Sequence, residues 1–191
     1  MNTSGMSAEE ILDGVQAALV EWLPASGGVR VDITAVGMGL YGERDTTLTM
    51  LDGVVKRIRP PRSSWFVVGD LRRAKVEPGR GAWTWAHLWM EVDELILCTE
   101  FDWDRRPEFS GESLTDYTCL DELERYPRDA EHIPEWLAQA VERARTTPPP
   151  PPPPDINAGA RDAITEQERD ARNRRNRDHD LNRLLKPLPS R

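Results

Sequence analysis

The sequence predicts an α+β fold in which an antiparallel β-sheet packs with helices, followed by a proline-rich linker and a C-terminal helical tail. Apolar residues recur at helical spacing near the N-terminus, where Ile11, Val15 and Leu19 follow one another at four-residue intervals. Further along, apolar and polar residues alternate as in half-buried strands, and Asp52-Gly53 is a strong signal for a hairpin turn. Strands that pair through hairpins form an antiparallel sheet.

Composition divides the chain into three parts. Residues 1–147 hold every tryptophan, phenylalanine and tyrosine, and their 26 acidic and 16 basic residues give a net charge of −10. A chain of that length can bury about two-thirds of its unfolded surface, so we predict one α+β domain at 1–147. Seven consecutive prolines, Pro148–Pro154, begin a polyproline linker at 148–160. The tail at 161–191 has no aromatic residue, and we predict that it is helical or disordered.

The acidic charge of the domain indicates which partners suit it. Phosphate binding requires a basic surface, so we expect no nucleic-acid partner, and a basic protein is favoured instead. Acidity also keeps proteins soluble, which leaves a second explanation open. No secretory signal or membrane-length apolar stretch is visible, so we expect a cytoplasmic protein without a membrane partner. A disulfide between Cys98 and Cys119 and the oligomeric state are left open.

The element signals can be followed along the whole domain. Ser7 and Glu10 have the spacing of a capping box, and Pro24 with Gly27-Gly28 is expected to end the first helix. A turn around Tyr41 uses the glycines at 37, 39 and 42. The predicted strands are 29–34, 46–51, 54–58, 83–91 and 95–103, the last two joined by a turn at 93–94, and the later helices are 63–75, 114–125 and a segment beginning at Pro134.

The most unusual feature is a cluster of six acidic residues within fourteen positions, with no lysine or arginine among them. Several of them would share one face of the predicted hairpin, where like charges repel and lower stability. We expect a protein to tolerate that cost in order to hold a cation or a basic partner. We therefore predict a partner-binding site composed of Glu91, Asp93, Glu94, Glu100, Asp102 and Asp104.

Signals for catalysis are weak in this sequence. The three histidines, His87, His132 and His179, have no metal-ligand spacing. The glycines at 37, 39 and 42 precede a strand pattern and not a helix, so they do not form a phosphate loop. We see neither a serine nucleophile elbow nor a Cys-His signature. We therefore predict no enzyme, no catalytic residue, no metal and no cofactor, while a metal-dependent hydrolase that uses the acidic cluster stays as an alternative.

Three tryptophans precede the acidic cluster. Trp83, Trp85 and Trp89 alternate with His87 and so fall on one face of a strand, together with Glu91. Tryptophan anchors many protein interfaces, so an exposed binding surface is one interpretation. Large aromatic residues also dominate cores, and we expect most of the three to pack there.

The order of these elements resembles the YezG-like immunity proteins of bacterial polymorphic toxin systems, over roughly residues 7–145. The similar segments are Trp83–Met90, Leu95–Asp104 with its ending Phe101-Asp102-Trp103-Asp104, Leu123–Arg128 and Ile133–Leu137. The resemblance implies an α+β fold and an antitoxin that binds a cognate secreted toxin inside the producing cell. Toxins paired with such proteins are often nucleases, so the acidic hairpin would occupy a phosphate-binding groove. The resemblance supplies no catalytic residue.

A second function class remains open. The polyproline run followed by a helical tail suits an adaptor or secretion chaperone that binds and delivers a partner protein. The run could also dock into an aromatic groove, although such runs more often serve as spacers. In the tail, Asp170, Asp178 and Asp180 lie among the arginines, which favours a solvated mixed-charge helix over a nucleic-acid contact. The arginines concerned are Arg172, Arg174, Arg175 and Arg177.

Overall fold

A computed structural model describes residues 5–64, 66–111 and 114–147 of the chain. The predicted linker at 148–160 and the predicted tail at 161–191 lie outside the described residues. The described part confirms the α+β class, with a five-stranded antiparallel sheet and helices. Its elements are α1 (Ala8–Ala25), β1 (Gly28–Met38), β2 (Tyr41–Met50), β3 (Val55–Arg57), α2 (Val68–Ala74), β4 (Trp85–Glu91), β5 (Cys98–Asp102), α3 (Asp116–Arg125) and α4 (Glu135–Thr146), with short 3-10 turns at Arg62–Ser64 and Ala130–His132.

The sheet has the strand order β3-β2-β1-β4-β5, with β1 at its centre. Every neighbouring pair is antiparallel. Apolar side chains at alternate positions of β1 and β4 face α1 and α2, and together they form the main hydrophobic core. The fully buried side chains from α1 are Ile11, Val15, Leu19 and Leu23, and those facing them include Val31, Ala35, Leu88 and Met90.

The first helix begins at the predicted cap and ends between Pro24 and Gly27-Gly28, the residues predicted to end it. The backbone N–H of Ser7 donates to Glu10 Oε2 at 2.7 Å, and the Glu10 N–H donates to Ser7 Oγ at 3.2 Å, so the capping box is confirmed. Pro24 does not stop the helix, because it lies in the last turn, where its missing N–H removes only one helical hydrogen bond. The helix instead ends after Ala25, and the following Gly27 has a φ of +73°.

Of the two predicted β-turns, the second is confirmed and the first is tighter than predicted. Gly53 has a φ of +81°, and the Met50 N–H donates to the Val54 carbonyl at 2.9 Å, which confirms the Asp52-Gly53 hairpin. The preceding turn is tighter than predicted, since only residues 39–40 separate β1 from β2 and the glycines at 37 and 42 pair within the ladder. At position 37 any Cβ would lie 2.4 Å from Cδ of Arg72, so a glycine is required there by close packing.

Two other predicted boundaries are wrong. The helix predicted at 63–75 is interrupted, because the Phe66 side chain is buried and its carbonyl accepts a hydrogen bond from Arg44 at 3.2 Å. The strand predicted from residue 95 begins only at Cys98. Leu95 has a φ of +54°, and the Leu97 N–H donates to Oε1 of Gln16 at 3.1 Å rather than to β4. Residues 92–97 therefore connect β4 to β5, in place of the predicted turn at 93–94.

Helices α3 and α4 pack against each other around a second, smaller hydrophobic cluster that includes Leu137 and Val141. A buried ion pair joins this cluster to the sheet. Arg72 on α2 donates to both carboxylate oxygens of Glu122 on α3 at 2.7 and 2.8 Å, and the two side chains are 1% and 0% exposed. The Gly39 N–H donates to the same carboxylate at 2.6 Å, so one network ties α2, the β1–β2 turn and α3 together.

Candidate partner-binding face

The second face of the sheet is called the open face here, because α1 and α2 lie on the opposite side and the described residues place no helix across its centre. Strand register defines its members, since side chains at alternate positions point to the same side. None of these residues is buried, whereas the alternate positions of β1 and β4 form the core. The open face carries Arg30, Asp32, Thr34 and Val36 from β1, Glu43, Asp45, Thr47 and Thr49 from β2, Val55 and Arg57 from β3, Trp85, His87, Trp89 and Glu91 from β4, and Cys98, Glu100 and Asp102 from β5.

The three clustered tryptophans are divided between the core and the open face. Trp83 is 0% exposed and contacts Phe101, with a distance of 5.6 Å between ring centroids. Trp85 and Trp89 are only half-buried and lie on the open face, so the prediction that most of the three pack in the core is wrong. The alternation fails at the start of β4, where Trp83 and Thr84 are both buried.

A histidine–aspartate pair occupies the centre of the open face. Nε2 of His87 lies 2.9 Å from Oδ1 of Asp32, and each side chain is 23% exposed. The imidazole stacks on Trp89, with 4.8 Å between centroids and 24° between planes, and its centroid is 6.0 Å from that of Trp85. These contacts hold the imidazole within a continuous aromatic row along β4.

Arg30 neutralises part of the acidity of the open face. Its guanidinium contacts Oδ1 of Asp32 at 2.7 Å and Oε1 of Glu91 at 2.6 Å. Burial would raise the pKa of Asp32 and is the largest single contribution, but hydrogen bonds from Arg30 and His87 together lower it below its ordinary value. Asp32 is therefore a carboxylate near neutral pH, and it orients both Arg30 and His87.

The six predicted acidic residues are close in sequence but differ in environment. Glu91 is ion-paired with Arg30, as described above. Asp102 accepts hydrogen bonds from the N–H groups of Asp104 and Arg105 at 2.8 and 3.0 Å, so its carboxylate stabilises the turn after β5. The Asp104 carboxylate is 62% exposed and lies 3.8 Å from Nη1 of the buried Arg128.

The other three acidic side chains are available to a partner. Asp93 and Glu94 are exposed in the connection between β4 and β5, and Glu100 is exposed on β5 opposite His87. Within residues 5–64, 66–111 and 114–147, these three carboxylates have no ion-pair partner. They are the exposed members of the predicted site that have no ion-pair partner among the described residues, and we call them the acidic triplet.

Two cations already contact the open-face tryptophans. The guanidinium carbon of Arg105 is 4.5 Å from the ring centroid of Trp85, and that of Arg30 is 5.9 Å from the ring centroid of Trp89. Each such contact at an exposed site is worth about 0.5–1 kcal/mol. Each of the two indoles thus already has a guanidinium of this chain over its ring.

Sequence reasoning missed Arg30 and Asp32 as members of the site. Both alternate with buried residues in β1, which predicts that they face solvent but not which strand lies beside them. Their contacts with His87 and Glu91 depend on the pairing of β1 with β4, across 55 and 61 residues of sequence. Local hairpin signals carry no information about that pairing.

Neither a metal-binding cluster nor a membrane-spanning helix is present within the part of the chain that the structure describes. No group of three or more histidine, cysteine, aspartate or glutamate side chains there is placed to hold a metal ion. No helix there combines the length and apolar character that crossing a bilayer requires.

The full sequence was also compared with known proteins. No family model and no curated protein matches it. The resemblance to the YezG-like immunity proteins therefore stays a prediction.

Proposed function

We propose that this protein is an immunity protein, or antitoxin, that binds and neutralises a cognate secreted toxin inside the producing cell. The acidic hairpin formed by β4 and β5 would make the contact. One observation carries the proposal: a sheet face that no described helix crosses presents half-buried indoles, and the same hairpin carries three exposed carboxylates without an ion-pair partner among the described residues, Glu100 on β5 and Asp93 and Glu94 in the connection after β4. Its support is physical, because aromatic anchors within a polar, charged surround are typical of protein interfaces.

The charge balance favours a basic partner. Residues 1–147 carry a net charge of −10, so their field attracts a positive surface and speeds its encounter with the protein. A nuclease is basic where it holds the phosphates of its substrate. Asp93, Glu94 and Glu100 would occupy such a groove in place of phosphate and exclude the nucleic acid, and this would inhibit the toxin without any catalytic step.

An adaptor or secretion chaperone is the second candidate function, because the seven-proline run precedes a tail whose sequence predicts a helical or disordered segment. The two candidates differ in what happens to the partner. An immunity protein abolishes the toxicity of its partner, whereas a chaperone delivers an active partner. A measurement of toxicity with and without this protein therefore separates them.

The experiment is a pull-down with the full chain in lysate of its source organism, followed by mass spectrometry and co-expression. We expect one stoichiometric polypeptide with a basic domain whose expression alone stops growth and whose toxicity disappears when this protein is co-expressed. Recovery of a partner that stays toxic, or is not toxic, would contradict the immunity function. Recovery of secretion components would support the chaperone instead.

The matched variants follow from the geometry. Changing the acidic triplet to lysine (Asp93→Lys, Glu94→Lys, Glu100→Lys) should abolish neutralisation, because it reverses the charge that faces the partner. The control makes the same change in net charge elsewhere on the surface, at Asp13, Glu21 and Glu124, which are exposed on α1 and α3. Asp102 is excluded from the variant because its carboxylate holds a turn, so a lysine there would disturb the fold as well as the charge.

A further inference from the structure

We infer that the open face binds an arginine side chain of the partner protein over Trp85, and that Arg105 is an internal guanidinium which the partner's arginine displaces. This inference rests on the proposed function for its partner. It adds the site and the chemical group that the site recognises.

Three aromatic rings form a row along β4 on the open face. Trp85, His87 and Trp89 occupy every second position of one strand, and their neighbouring ring centroids are 6.0 and 4.8 Å apart. The three side chains are half-buried, so the row is held in place but stays partly accessible. Trp89 is stacked by His87 and covered by Arg30, so Trp85 is the indole at which a cation can be exchanged.

The charge around the aromatic row favours a cationic ligand. The open face carries Asp32, Glu91, Glu100 and Asp102 close to the aromatic row, while β1 and β4 contribute only Arg30 as a balancing cation. A guanidinium placed over Trp85 would lie near the β5 carboxylates Glu100 and Asp102, so ring and carboxylate would act together. Arginine fits this arrangement better than lysine, because its planar group stacks on an aromatic face and also donates a fork of hydrogen bonds.

Arg105 is held less firmly over its indole than Arg30. Its guanidinium lies over Trp85 at 4.5 Å, but it forms no ion pair with a described carboxylate. Arg30 over Trp89 is different, since two carboxylates hold it in place. Arg105 is therefore the exchangeable cation of the pair, and its exposed position on the segment after β5 lets it leave the ring without disturbing the sheet.

The test uses the full chain and a short peptide, acetyl-Arg-Gly-Arg-Gly-Arg-amide, as the probe. Indole N–H signals in a two-dimensional NMR spectrum, assigned by single Trp→Phe variants, report on each ring separately. We expect a saturable shift for Trp85 and none for the buried Trp83 and Trp103. The same peptide with citrulline in place of arginine keeps the shape without the charge, and it should bind at least tenfold more weakly.

A matched pair of variants tests the role of Arg105. Arg105→Gln should strengthen peptide binding about threefold or more beyond Arg106→Gln, which removes the same charge from the exposed neighbouring position. Equal effects of the two variants, equal binding of the citrulline peptide, or shifts confined to residues 93–94 would overturn the inference. These results would leave the proposed function standing if the pull-down still recovered a neutralised toxin. If the peptide shifts the indole signal but the pull-down with the full chain recovers no neutralised toxin, that result would instead contradict the proposed function.

Discussion

Replacing Glu122 with glutamine tests how the sheet and the α3–α4 pair are held together. The substitution keeps the shape of the side chain but leaves the buried guanidinium of Arg72 without a counter-charge. In the structure that guanidinium makes two contacts with the carboxylate at 2.7 and 2.8 Å and also donates through Nε to the Trp83 carbonyl at 2.8 Å. Removing one partner of a buried ion pair costs about 3–5 kcal/mol.

The expected loss is a large part of the whole stability, because domains of this size unfold with roughly 5–15 kcal/mol. At a urea dependence of about 2 kcal/mol per molar, Glu122→Gln should lower the unfolding midpoint by about 1.5–2.5 M. Replacing both partners, as in R72M/E122L, should cost less than the sum of the single changes, since no charge is then buried alone.

The assay is equilibrium unfolding in urea at neutral pH, followed by tryptophan fluorescence and circular dichroism. Asp116→Asn is the control, because Asp116 forms an equally short ion pair with Arg143 at 2.8 Å, but with side chains 36% and 56% exposed. That change should cost at most about 1 kcal/mol. A cost below 1 kcal/mol for Glu122→Gln, or additive effects in the double variant, would refute the reasoning.

Three further predictions concern single positions. Ser7→Ala removes the helix cap and should lower the unfolding free energy by about 1 kcal/mol, measured by urea unfolding. Gly39 has a φ of +58°, and a Cβ at this position would lie 2.6 Å from Oδ2 of Asp121. Gly39→Ala should therefore lower the unfolding free energy by about 1–2 kcal/mol in the same assay. An unchanged unfolding free energy would contradict this prediction. Both thiols are free, and burial raises the pKa of the Cys119 thiol to about 11, so a thiol reagent should label Cys98 first. In the unfolded chain the thiol has an ordinary pKa of about 9.0, so it ionises there at a lower pH than in the folded protein. Between pH 9 and 11 the free energy of unfolding of the wild type should therefore fall by about 2 kcal/mol more than that of Cys119→Ala. Parallel plots of unfolding free energy against pH for the two proteins would contradict this.

Local signals in the sequence predicted the parts of the fold that local interactions decide. The capping box depends on atoms three residues apart, and the Asp52-Gly53 turn depends on the conformational freedom of one glycine. The sheet order could not be predicted in this way. The central strand β1 pairs with β4 only after an intervening hairpin and helix, and no short pattern encodes that contact.

The candidate site shows the same limit. Six acidic residues within fourteen positions of the sequence suggested one uniformly unpaired surface. In the structure, Arg30 pairs with Glu91 across 61 residues, backbone N–H groups donate to Asp102, and Asp104 lies 3.8 Å from Arg128, so only the acidic triplet is exposed without such a partner among the described residues. Strict alternation also misplaced Trp83, because the chain is irregular just before β4 and turns that side chain into the core.

A titration of the toxin polypeptide recovered in the pull-down, by calorimetry against the purified full chain, tests the central claim most directly. The account predicts one-to-one binding by wild type, at least a hundredfold weaker binding after lysine substitution of the acidic triplet, and binding within about threefold of wild type after the same substitutions at Asp13, Glu21 and Glu124. Equal binding by wild type and the triplet variant would contradict it, as would an equal loss in both variants, because the acidic hairpin would then not be the surface that recognises the partner.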